Sequence, residues 1–316
     1  MIGISQEDTV IKKLKMVPCL AAVILAGACT FHPGATPATA PVPINSPSGP
    51  GESPVAETES PSATSSPAVP DGFFPIAIGN SGYPESATLL GGTENGVWID
   101  ANAAAARLSG GEVYNLYSPT GLAGTAVGAK PVKDRICGKY MLQWDPPPST
   151  TSLIGLGGGW DALPRSPEDP PISDFRIYTD AAGSYMTSLA FPVPDPLRLT
   201  RLVLADLEGD GPMEALISAS QFSEDTLHIV AAGDFSMVLL FRETVPDTTL
   251  LAGDFYPDAK SLAFPKAYSI LSILDLNGDG RMEVILHVSC WEGGGALVFA
   301  LEGANILPVF DGVCAL

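Results

Sequence analysis

From residue 200 onward the hydrophobic positions fall into short runs separated by Gly-containing turns. Residues 202–205 and 215–218 flank one acidic turn, and residues 272–274 and 284–288 flank another. Residues 227–232 and 237–242 read as a hairpin turning through Gly233 and Asp234. Residues 296–301 and 306–310 read as a second one turning through Gly303. Nearer the N-terminus, strand-like runs cover 113–117, 125–129 and 140–144. Helical spacing is rarer. Ala182, Tyr185, Met186, Leu189 and Ala190 recur at i, i+3, i+4, i+7 and i+8, which predicts a helix over 180–190. Asp100 is placed to cap a shorter helix over 101–108, stopped by Gly110 and Gly111. The pattern therefore predicts a mainly β, antiparallel domain of strands and hairpins with a few short helices.

Two stretches stand outside that pattern. Lys12, Lys13 and Lys15 precede an apolar run over 16–28 that only Pro18 interrupts. A basic segment, a short apolar segment and small residues before a cleavage point make a secretory signal. Its roughly 13 residues fall short of the ~20 that a membrane-spanning helix needs. The run ends Leu25-Ala26-Gly27-Ala28-Cys29, which resembles a bacterial lipobox. There the signal is removed and the Cys carries fatty acyl chains such as palmitate. Ordinary secretion with a cut near Ala28 is the alternative reading. From residue 30 to 70 the chain is almost wholly Pro, Ala, Ser, Thr and Gly. Such a segment buries too little apolar surface to offset its ordering entropy. As polyproline II it would reach on the order of 100 Å.

The expected organisation is a signal peptide over 1–28, then lipidated Cys29 with a disordered tether over 29–70. A single extracytoplasmic domain follows over 71–316, with both acidic turns in 200–316. The expected location is the outer face of a cell membrane, with the N-terminal lipid as the contact to it.

Composition supports strands over long helices: charged residues make up 16%, beside 33 Gly and 30 Pro. The net charge is −19, and −20 once residues 1–28 are removed. No basic face remains, which excludes nucleic acid as a partner. Acidity of this degree suits divalent cations.

The strongest chemical signal occurs twice. Asp206-Leu207-Glu208-Gly209-Asp210-Gly211-Pro212-Met213-Glu214 returns as Asp275-Leu276-Asn277-Gly278-Asp279-Gly280-Arg281-Met282-Glu283. Calcium takes six to eight oxygens, at roughly 2.3–2.6 Å. Oxygens at positions 1, 3 and 5 of a tight turn converge on one point, and Gly at position 6 allows the positive φ the turn needs. The carbonyl of position 7 and the acid of position 9 close the set. In an EF-hand the closing Glu stands at position 12, where this chain has Ile217 and Leu286. These turns are therefore read as calcium loops between strands. Asp, Asn and Gly are also ordinary turn formers, which is the plainer account of each fragment alone.

The two turns resemble the calcium loops of FG-GAP/VCBS-type repeats, which also occur in integrin-like β-propeller blades. The resemblance covers about 90 residues, 202–288. It implies Asp206, Glu208, Asp210, the Pro212 carbonyl and Glu214 as one ligand set. It implies Asp275, Asn277, Asp279, the Arg281 carbonyl and Glu283 as the other. A complete β-propeller would need several more repeats, so the expectation is two calcium-loop hairpin repeats beside a non-repeat N-terminal half. The implied cofactor is Ca2+.

Beyond Cys19 and Cys29, three cysteines remain: Cys137, Cys290 and Cys314. Outside the cytoplasm one disulfide and one spare thiol are expected. Cys137–Cys314 is the preferred pairing, with Cys290–Cys314 next. His228 and His287 both fall in predicted strands, where packing is the common use. No H-E-x-x-H, G-x-S-x-G or P-loop is present, and the Gly-rich stretch 155–159 reads as a loop. Trp98, Trp144, Trp160 and Trp291 read as packing residues, with a sugar-stacking platform as the sharper alternative. The leading expectation is a non-catalytic, calcium-stabilised envelope module that presents a surface to a protein or polysaccharide. A carboxylate-dependent glycan hydrolase and a calcium-sensing module are the rivals.

Overall fold

The computed structural model describes residues 69–315 apart from 81, 151, 172–175, 223–228, 244–246, 259, 262–264 and 304. The signal, Cys19, Cys29, the tether up to residue 68 and His228 lie outside the described residues. Val69 and Pro70, which the sequence assigned to the tether, already pack on the domain. Val69 lies against Gly96 and Pro70 against Gly278, because neither glycine has a side chain to hold them off. Among the described residues no helix is long and apolar enough to cross a membrane.

The chain opens with β1 (Phe73–Asn80), β2 (Tyr83–Glu94), β3 (Val97–Asp100) and helix α1 (Ala101–Arg107). Asp100 caps α1, its side chain accepting from the Ala103 N–H at 2.8 Å. Next come β4 (Glu112–Ser118), β5 (Gly121–Gly128), β6 (Val132–Lys133), β7 (Tyr140–Asp145) and β8 (Ile154–Leu156). They form one antiparallel sheet in the order β3-β2-β1-β8-β4-β5-β7-β6, and a further pairing joins β2 and β7, the strands next to its two ends. Six strands thereby close into a barrel, which local hydrophobic patterning did not anticipate. Tyr114, Leu116, Leu142 and Trp144 fill its interior.

The Gly-rich stretch read as a loop is in part strand: Gly155 and Leu156 belong to β8, between β1 and β4. A Cβ at Gly155 would sit 2.8 Å from the Trp144 ring. The glycine is there because two large rings fill the barrel, and not because the chain turns.

After α2 (Arg176–Ser188) come β9 (Leu199–Ala205), β10 (Glu214–Ser220), β11 (Ile229–Val230), β12 (Asp234–Arg242), β13 (Asp247–Tyr256) and β14 (Lys260–Ser261). The last five are β15 (Ala267–Leu274), β16 (Glu283–Cys290), β17 (Gly293–Glu302), β18 (Asn305–Asp311) and β19 (Cys314–Ala315). Strands β13-β12-β10-β9 form one antiparallel sheet, here the outer sheet. Strands β15-β16-β17-β18, with β19 on β17, form another, the middle sheet.

The layers stack through alternating side chains. Along β12, Val238 and Leu240 face the middle sheet while Met237, Leu239 and Phe241 face α2. Along β16, Val284, Leu286 and Val288 face the outer sheet while Ile285 faces the barrel. Strands covered on both faces need apolar side chains at nearly every position, and this explains the unbroken hydrophobic runs there.

Two expectations are corrected. The hairpin across Gly233 and Asp234 does not form. β11 pairs with β14, while β12, apolar on both faces, takes a central place between β10 and β13. Helix α2 begins and ends earlier than its spacing predicts. Ala182 and Met186 are buried, but Ala190 adopts φ 54° and turns the chain so that Phe191 docks on the same core, leaving Leu189 exposed.

Candidate functional site

The two acidic turns connect β9 to β10 and β15 to β16, the same step in each sheet. Ala205 pairs with Glu214 and Leu274 with Glu283, so each turn begins and closes at the same register. In the first, Asp206 Oδ1 accepts from the N–H groups of Gly209 (2.7 Å) and Asp210 (3.1 Å), and Oδ2 from Gly211 (3.2 Å). In the second, Asp275 Oδ1 accepts from Gly278 (2.6 Å) and Oδ2 from Gly280 (2.9 Å). The closing acids match as well. Glu214 Oε2 accepts from the Leu207 N–H at 2.9 Å, and Glu283 Oε2 from the Leu276 N–H at 2.7 Å. Leu207 and Leu276 anchor the turns as fully buried side chains.

The frame depends on left-handed glycines at matching places: Gly209 and Gly211 have φ 77° and 100°, Gly278 and Gly280 φ 76° and 84°. Any Cβ there would be strained.

The turns differ at position 3. Asn277 Oδ1 accepts from the Asp279 N–H at 3.0 Å, and its amide donates to Asp279 Oδ2 at 3.1 Å. Glu208 instead reaches toward Arg242, with 3.9 Å between Oε1 and Nη2, and that oxygen is buried with no hydrogen-bond partner. Asp210 and Pro212 are exposed, as is Arg281, whereas Asp275, Asn277 and Glu283 are buried. The first turn is the more open one.

Burial sets the electrostatics. Loss of solvent pushes the Asp275 carboxyl up to about 6, against the pull of the Gly280 and Gly278 N–H groups and with repulsion from Asp279. The same loss of solvent raises Glu283 well above the carboxylate range, opposed by the Leu276 N–H and reinforced by Asp279 and Asp275. Glu214 is raised by burial too. Arg242 opposes the rise at Glu214, and Arg165 Nε stands 3.7 Å from Asp206 Oδ2 in the first turn.

Two residues outside both motifs bond to the turns, and one of them, Arg165, bonds to both. Arg165 donates through Nε to the Asp206 carbonyl (2.7 Å) and through Nη2 to the carbonyls of Leu207 (3.3 Å) and Gly280 (2.7 Å). Trp160 Nε1 donates to the Asp275 carbonyl at 2.8 Å. The turns also touch directly, the Met282 N–H donating to the Leu207 carbonyl at 2.9 Å. Sequence reasoning missed Arg165 and Trp160 because their partners are 41 and 115 residues away, and no local spacing encodes that. Arg165→Ala strips the donor from three carbonyls and is expected to lower stability by about 2–3 kcal/mol. Lys at that position would recover little of it, since one ammonium cannot span the fork. Urea unfolding of the two variants measures both.

Among the described residues no group of three or more His, Cys, Asp or Glu side chains converges as a set able to hold a metal. The donor chemistry nonetheless fits a hard cation. A carboxylate has about four acceptor sites, and the backbone N–H bonds occupy only some of them on Asp206 and Asp275. The Glu208 oxygen without a hydrogen bond and the desolvated acids are the groups a divalent cation would relieve.

Elsewhere, Cys137 and Cys314 are joined by a disulfide with 5.5 Å between Cα atoms, and Cys290 is free and buried. Trp144 lies inside the barrel, Trp98 packs edge-on against Phe310 at 5.4 Å, and Trp291 is half exposed. Comparison with protein-family models, with curated proteins and with solved structures finds no match.

Proposed function

We propose that this chain is a non-catalytic, lipid-anchored module of the cell envelope, stabilised by calcium at its two acidic turns and presenting a surface to an envelope protein or polysaccharide. In this reading the hairpins β9–β10 and β15–β16 are two FG-GAP/VCBS-like units, and the barrel is the non-repeat half. Asp206, Glu208, Asp210, the Pro212 carbonyl and Glu214 would hold one ion. Asp275, Asn277, Asp279, the Arg281 carbonyl and Glu283 would hold the other. Cys29 would carry the lipid. The observation that carries the reading is the repetition: both turns hold their first and ninth acids in the same hydrogen-bond frame, with those acids desolvated in the second. Bound calcium would supply positive charge where buried carboxylates otherwise repel one another.

Trp160 gives the test a spectroscopic handle, because its indole nitrogen bonds to the Asp275 carbonyl. Terbium, which substitutes for calcium, is expected to emit strongly in the full chain when the indole is excited, and calcium is expected to quench that emission by competition. Asp275→Ala should remove the part of the competed signal that comes from the second turn. Trp160→Phe should dim it while leaving calcium-dependent stabilisation in place. Emission that calcium does not displace would count against a calcium site there.

A further inference from the structure

A cleft of about 800 Å³ lies between the barrel and the middle sheet, on the side of β16 away from the outer sheet. That volume is within the range, about 300–1,000 Å³, of sites that take small molecules. Its wall on the barrel side carries a polar network. Thr88 donates to Asn80 Oδ1 at 2.9 Å, and the Asn80 amide donates to Ser86 at 3.0 Å. Gln143 extends this wall, and His287 and Ser289 face it from β16. Burial holds the His287 imidazole below its ordinary pKa, which keeps it neutral at pH 7.

Gly294 and Gly295 also line the cleft, where backbone packs closely against them. A Cβ on Gly294 would come 2.7 Å from the Val288 carbonyl, so a side chain has no room there. At the mouth stand Tyr83, 65% exposed, and Ile136, 73% exposed. The mouth is braced by the Cys137–Cys314 disulfide and by Lys139, whose ammonium donates to the Asp311 carbonyl at 2.7 Å. Ser152, also on the lining, holds φ 62°, a conformation that non-glycine residues adopt at a price and that recurs at binding sites.

The lining is rich in neutral donors and acceptors, and its charged side chains are the exposed Glu85 and the part-buried Asp134 and Lys139. Lys139 is engaged with Asp311, and Asp134 spends its carboxylate on the Ile136 and Cys137 N–H groups. A chain of net charge −19 repels anionic ligands, and amides and hydroxyls read hydroxyl groups well. A flat exposed phenol ring beside them suits the apolar C–H face of a sugar ring.

We propose that this cleft binds a neutral oligosaccharide, with Tyr83 stacking on a sugar ring and Asn80, Gln143 and His287 reading its hydroxyls. The proposal rests on the binding-module reading and names the class of its ligand. The test is calorimetric titration of the full chain, in a detergent without a sugar headgroup, with maltohexaose, cellohexaose and chitohexaose. Tyr83→Ala and Gln143→Ala are run beside it, both residues being exposed and dispensable to the core. One of the three sugars is expected to bind, and each substitution to weaken it by about tenfold or more. No binding by any of them, or binding that both variants retain unchanged, overturns the proposal. A calcium-dependent rise in melting temperature measured on the same samples decides the module reading separately, since it does not involve the cleft.

Discussion

Glu283→Gln is expected to stabilise the calcium-free protein at pH 7 and at the same time to make it far less responsive to calcium. The buried Glu283 carboxylate accepts from the Leu276 N–H and faces Asp275 and Asp279, so its charge is a burden without a cation. A glutamine keeps an oxygen for the Leu276 N–H and carries no charge, and relief of about 3 kcal/mol is the scale for removing a desolvated ion. With calcium the order reverses, because the wild-type acid gains a partner and the amide does not.

The pH dependence follows from the same groups. Folded Asp275 keeps its proton up to about 6, whereas the unfolded chain loses it near 3.8. Glu283 is shifted in the same direction. The folded state therefore binds more protons over that range, and calcium-free stability is expected to fall as pH rises from about 4 to about 6 and beyond. Calcium, by holding the acids ionised, is expected to flatten or reverse that slope. Urea unfolding across pH in chelator and in calcium, for wild type and Glu283→Gln, checks the reversal.

Cys137→Ser is expected to lower stability by about 5 kcal/mol, the loop-closure scale for a bridge across 177 residues. Cys314 lies in β19, a two-residue strand held to β17 at Gly293 and Gly294. Cys137 lies in the connection leading to β7. Without the bridge, nothing covalent ties the C-terminal strand to the barrel, and both sides of the cleft mouth loosen. Chemical denaturation with and without reductant measures the loss, and the reduced wild type should match the variant. A difference below about 1 kcal/mol would mean that the unfolded chain gains little freedom when the bridge is gone.

What was legible in the sequence was local. Each acidic turn keeps its hydrogen-bond frame inside nine residues, so spacing alone groups Asp206 with Glu214 and Asp275 with Glu283. Asp100 capping α1 and the β17–β18 hairpin through Gly303 are equally short-range. Closure of the barrel was not legible, because it depends on β2 meeting β7, Leu89 against Tyr140, about fifty residues later. Nor was the role of Gly155, whose lack of a side chain makes sense only beside Trp144. Arg165 falls in an irregular segment with no periodicity, and only the approach of the two sheets gives its guanidinium carbonyls from both turns. The β11 and β12 runs were misjoined for a related reason. A hairpin pattern does not report that one strand is covered on both faces and is held at the centre of another sheet.

The measurement that bears most directly on the account is thermal unfolding of the full chain in excess chelator and then in millimolar calcium, with Asp206→Ala and Asp275→Ala alongside. At calcium a thousandfold above the dissociation constant, stabilisation of about 4 kcal/mol corresponds to a rise of roughly 8–16 °C. A rise on that scale is expected, reduced by each substitution, with Asp275→Ala losing more because the second turn is the more buried. An unchanged melting temperature in a calcium-free protein that is already stable would contradict it, and would leave the two turns as acidic hairpins with no ion to hold.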